Sequence, residues 1–72
     1  MLKYKRISNE NGIKRYEFYP EGDVSAAGVV EFNNEGEPKL IKNSKMDVKG
    51  YFASHALYGI DTEKETGTVA WY

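Results

Sequence analysis

Several short runs along this chain alternate apolar and polar residues, each ended by glycine, asparagine or proline. One longer stretch repeats its apolar residues every fourth position. Tyr4 to Ser8 and Ile13 to Tyr19 are the first two strand candidates. Between them, Asn11-Gly12 supplies the two positive φ angles of a tight hairpin turn. Within the second run Tyr16 and Phe18 share one face, and Arg15, Glu17 and Tyr19 share the other. Pro20-Glu21-Gly22-Asp23 ends it. Ala27 to Asn33 is a third strand, with Gly28, Val30 and Phe32 inward, Glu31 outward, and Gly28 marking a bulge or a close approach by a bulky neighbour. After the turn at Asn33-Asn34-Glu35-Gly36, Lys39 to Lys42 reads as a short edge strand with charged ends.

Residues 44–61 predict one helix. Val48, Phe52, Ala56 and Ile60 recur at helical spacing with Leu57 beside them, and Tyr51, His55 and Tyr58 lie toward a flank. Ser44 and Asp47 have the spacing of a capping box, and Gly50 signals close packing or a later helix start. Thr68 to Tyr72 alternates again and predicts a strand that pairs inside the sheet or across a dimer seam. The pattern therefore specifies a single α+β domain over residues 1–72: an antiparallel sheet of three to five strands with one helix across a face. The expected core is Ile7, Phe18, Val30, Phe32, Val48, Phe52, Leu57, Ile60, Val69 and Trp71.

Size changes what this pattern implies. In a chain of 72 residues, apolar burial and the entropy cost of ordering are each on the order of 100 kcal/mol and nearly cancel. Small domains usually add a staple. The sequence has no cysteine and one histidine, which removes disulfides, thiolate chemistry and the usual zinc ligand sets. Association with a second copy is the staple that remains. An aromatic content of 14% suits it, because amphipathic rings fill interfaces. Tyr51, Tyr58, Trp71 and Tyr72 are the candidate interface residues.

The net charge of -1 offers no bulk attraction to nucleic acid or anionic membrane. The charges come in blocks, however: residues 1–15 carry five basic groups against one acid, and residues 16–37 carry six acids and no base. Adjacent strands would let such blocks neutralise each other. The N-terminal segment has no apolar run resembling a signal peptide or a membrane span, and a cytoplasmic location is expected.

No residue set carries recognisable chemistry, so no catalytic, metal or cofactor site is assigned. His55 has no acidic residue within four positions. Glu17, Glu21, Asp23, Glu31, Glu35 and Glu37 lack calcium-loop spacing, and the glycines match no phosphate-binding pattern. The expected function is that of a non-enzymatic homodimeric interaction module. A first rival is nucleic-acid binding on the basic hairpin, with Lys3, Lys5, Arg6, Lys14 and Arg15 as the contact face and Tyr4 and Tyr16 as stacking surfaces. A second is a small enzyme whose site, including His55 and a carboxylate, forms at the dimer seam.

Two segments, Tyr16-Glu17-Phe18-Tyr19-Pro20-Glu21-Gly22 and Gly67-Thr68-Val69-Ala70-Trp71-Tyr72, resemble a family of small Bacillus and prophage proteins called Yopt. In length and order of elements the likeness extends over nearly the whole chain. It implies a homodimer with one helix and three strands per chain, a prophage origin, a host protein as possible target, and no catalytic residues to carry over.

Overall fold

The computed structural model describes residues 1–47 and 49–70; Val48 and Trp71, expected in the core, and Tyr72, expected at an interface, lie outside the described residues. Five strands form one antiparallel sheet: β1 (Leu2–Glu10), β2 (Ile13–Pro20), β3 (Gly28–Phe32), β4 (Pro38–Lys42) and β5 (Thr66–Val69), in the order β4-β3-β2-β1-β5. One helix, α1 (Tyr51–Gly59), packs across a single face. The α+β architecture thus follows the sequence pattern, with the sheet at the upper end of the expected three to five strands. The Yopt likeness implies three strands per chain, and the sheet has five.

The β1–β2 hairpin turns where the sequence places it, at Asn11 (φ 55°) and Gly12 (φ 79°). On β2 and β3 the alternation sets the inner face as expected: Tyr16, Phe18, Val30 and Phe32 are buried. Gly28 marks a close approach rather than a bulge: a Cβ there would overlap the Phe18 ring, whereas the β3–β4 register shift falls between Val29 and Val30, with the extra residue, Ile41, on β4.

Three expectations are corrected. Ile7 is 47% exposed rather than in the core. It sits where the β1–β2 register shifts between Arg6 and Ser8, so the bulge leaves it without a cross-strand partner. Tyr4 and Tyr16, the stacking surfaces of the nucleic-acid alternative, are core residues, as is Leu2. The helix is also shorter than residues 44–61. Gly50 adopts φ 77° at its N-cap, so the glycine lies at the boundary and imposes no cost inside the helix. Asp47 caps the helix from upstream of that boundary. Its Oδ1 accepts from the Phe52 N–H (3.2 Å) and its Oδ2 from the Ala53 N–H (2.9 Å), two of the donors a helix start leaves unsatisfied. Ser44 makes a local turn, its Oγ accepting from the Met46 N–H at 3.1 Å.

Ala53, Ala56 and Ile60 face the sheet core, with Phe52, Leu57 and Val69 packed at its margin. Tyr4, Tyr16 and Phe32 form an edge-to-face series across three adjacent strands, with ring centroids 5.7 and 5.9 Å apart. The Tyr16 hydroxyl donates to the Lys64 carbonyl at 2.8 Å, and the Tyr4 hydroxyl accepts from the Asp61 N–H at 3.4 Å. These bonds pin the connection between α1 and β5 to the sheet.

Two substitutions test this account by urea unfolding. Asp47→Ala should cost about 1 to 2 kcal/mol, because two helix-start N–H groups lose their acceptor in a buried setting. Gly28→Ala should cost about 1 to 3 kcal/mol by overpacking against Phe18. An unchanged midpoint for either would contradict the corresponding contact.

Candidate functional site

The outward side of α1 departs most from an ordinary surface. Tyr51-Phe52-Ala53-Ser54-His55-Ala56-Leu57-Tyr58-Gly59 contains no acidic residue, lysine or arginine, although 29% of the whole chain is charged. A helix packed on one face normally carries charged residues on the other. Here Tyr51 and Tyr58, seven positions apart, project from the pole opposite the core and are 65% and 81% exposed. They were expected on a flank. Ser54 is exposed between them and His55 is half-buried. The remaining candidate interface residues, Trp71 and Tyr72, lie outside the described residues.

The basic hairpin set does not converge. Strand alternation and register place Lys3, Lys5 and Arg15 on the open face of the sheet, with Arg6 and Lys14 on the helix side. Arg6 pairs with Glu65 at 3.1 Å, and the Lys14 ammonium donates to the Thr62 carbonyl at 2.7 Å. On the open face Arg15 is bound to Glu31 at 2.8 Å, and Glu17 lies opposite Lys5. Of the three open-face basic residues Arg15 alone is in an ion pair among the described residues, and Glu17 and Glu31 intersperse acids on the same face.

The acidic residues are dispersed too. Glu21 pairs with the N-terminal amine at 3.3 Å. Asp23 accepts from both the N–H and the hydroxyl of Ser25, which lowers its carboxyl pKa. Glu35 and Glu37 lie on the β3–β4 turn, where the Asn33 side-chain oxygen accepts from both of their N–H groups. The clefts lined by Ser8, Glu10, Ile13, Arg15 and Glu31, by Lys3, Lys5, Tyr19, Val24 and Thr66, and by Lys14, Phe32, Asn34 and Thr62 do not include His55. Among the described residues no helix is long and apolar enough to cross a membrane.

Residues outside the candidate sites also shape the surface. Val24 is 72% exposed beside the cleft at Lys3 and Tyr19, and all five residues of β4 are exposed, Leu40 and Ile41 included. Among the described residues Thr66 and Thr68 line a free sheet edge. The sequence does carry a signal for that edge: an uncharged run follows directly on Glu63-Lys64-Glu65.

Two phenols on the β-sheet are shifted. The Tyr19 hydroxyl donates to Glu17 Oε1 at 2.9 Å. Burial first, then the Glu17 hydrogen bond and charge, push its pKa up from 10.0 to about 12. Burial also raises Tyr16, with nearby Arg6 partly offsetting it. Both folded values lie above the unfolded one, so this stabilisation is complete below about pH 10 and is lost as pH rises toward 12. Tyr19→Phe should weaken the alkaline loss of stability and remove a phenolate with a midpoint near 12 from the near-ultraviolet titration. Loss of a component titrating near the ordinary 10.0 instead would contradict the Glu17 contact. No protein-family model, no curated protein and no solved structure matches this chain.

Proposed function

We propose that this chain is a non-enzymatic homodimeric protein-interaction module of the cytoplasm. The observation that carries the reading is the charge-free outer face of α1, with Tyr51 and Tyr58 65% and 81% exposed. Uncharged helix faces bearing large rings are characteristic of buried surfaces, and tyrosine is enriched among residues that dominate interface energetics.

A second copy is a suitable cover on geometric grounds. Two helices crossing antiparallel about a two-fold axis bring Tyr51 of one protomer beside the partner's Tyr58, and the reverse. Ser54 is small and lies between the two rings, which permits a close approach near the axis. The same patch meets itself, and no charge is stranded. With the prophage origin that the Yopt likeness implies, the dimer would act on a host protein by occupying its surface, with charged strands selecting orientation.

Sedimentation across a concentration series tests the assembly. The expected result is a dimer at low micromolar concentration and above. Replacing both rings, Tyr51→Ser with Tyr58→Ser, should weaken it at least about tenfold, since truncating interface tyrosines commonly costs more than 1 kcal/mol each. The far-ultraviolet dichroism of that variant should match the parent protein. A parent that remains monomeric throughout the series overturns the proposal.

A further inference from the structure

The two edges of the sheet are built differently. The β4 edge carries the devices that block strand addition: Pro38 lacks an N–H, Lys39 and Lys42 add charge, and a register shift interrupts the ladder beside Val29 and Val30. β5 has none of these. Thr66, Gly67, Thr68 and Val69 are uncharged, their pairing to β1 is unbroken, and among the described residues the strand has one neighbour in the sheet.

The direction of the β5 backbone groups follows from the ladder. The Arg6 N–H donates to the Glu65 carbonyl at 2.6 Å, and register pairs Tyr4 with Gly67 and Leu2 with Val69. In an antiparallel ladder alternate residues bond to the neighbour. Gly67 and Val69 therefore turn their N–H and C=O groups to β1, and Thr66 and Thr68 turn theirs outward. Beside this free edge, on the open face, lies a groove of about 490 Å³ lined by Lys3, Lys5, Tyr19, Val24, Thr66 and Thr68, among others. Neither lysine forms an ion pair among the described residues. The nearest cross-strand acid, Glu17, is engaged by the Tyr19 hydroxyl.

We infer that β5 is an acceptor edge for an extended acidic peptide segment of another protein, which adds as a sixth strand. Its backbone bonds the outward groups of Thr66 and Thr68. Its acidic side chains on the open face reach Lys3 and Lys5, and an apolar neighbour covers Val24. Main-chain bonding gives affinity and the alternate side chains give selectivity, as in other cases of strand addition. Charge complementarity favours this occupant over a second copy, because residues 66–70 of a second β5 bring no acid to the two lysines. The site uses neither Tyr51 nor Tyr58, so it stands or falls independently of helix-mediated dimerisation.

A short labelled peptide of alternating valine and glutamate is the probe, compared with the same peptide carrying lysine in place of glutamate. The glutamate peptide should bind about tenfold tighter at low salt, as two exposed charge pairs allow. Lys3→Glu combined with Lys5→Glu should reverse the preference. Thr68→Pro should abolish binding, since proline removes an outward donor at a position where an edge strand tolerates it. Backbone N-methylation of the peptide removes the same bonds without altering the protein and should have the same effect. Equal affinity for the two peptides, or no binding of either, overturns the inference. Self-association that Thr68→Pro abolishes would assign the edge to a second copy and overturn it as well.

Discussion

Two buried tyrosines hold the sheet and its connections together. Tyr4 and Tyr16 lie on neighbouring strands, 4% and 0% exposed, edge to face in the middle of the core. A buried phenol needs a partner for its oxygen, and both partners come from the connection between α1 and β5: the Lys64 carbonyl for Tyr16 and the Asp61 N–H for Tyr4. Around them Lys14 binds the Thr62 carbonyl, and Arg6 binds Glu65 through both backbone and side chain. A polar connection with little apolar area of its own is thereby fastened to β1 and β2, and this sets where β5 enters the sheet. The close approach also accounts for Gly67, where a Cβ would overlap the Tyr4 ring and hydroxyl.

The same tyrosines mark where sequence pattern misleads. Periodicity placed Tyr16 and Phe18 on one face correctly. Yet the basic residues around Tyr4 and Tyr16 suggested an exposed stacking platform, because tyrosine suits both interiors and surfaces. What separates the two roles is a hydrogen-bond partner 57 residues away for Tyr4 and 48 for Tyr16, and no local window contains it. Ile7 misled for the opposite reason: its chemistry is that of a core residue, but a bulge between Arg6 and Ser8 interrupts the pairing at that position. Asn11-Gly12, Gly28 and the edge character of β4 were legible, because each is a local backbone or packing requirement.

Charge was legible at the scale of blocks and not of pairs. The basic first segment and the acidic second one become adjacent antiparallel strands, and Met1 with Glu21 and Arg15 with Glu31 join them. Arg6, by contrast, reaches Glu65 at the other end of the sequence. The helix boundary also resisted local reading. Asp47 occupies a spacing that fits a capping box with Ser44, but its carboxylate reaches over Gly50 to a helix that starts at Tyr51.

The way α1 is held bears on why its outer rings matter. A nine-residue helix is too short to persist in water alone, since isolated helices are marginal below about 12 to 15 residues. It depends on packing: Ala53 and Ala56 are buried in the core, and the larger Phe52 and Leu57 pack against its margin. Ile60, just past the helix end, is buried with them. Tyr51 and Tyr58 point the other way, and covering rings of that size offers about 3 kcal/mol apiece before the costs of association are counted. The helix thus carries large side chains on both faces: Phe52 and Leu57 reach the core margin, and Tyr51 and Tyr58 stand in solvent.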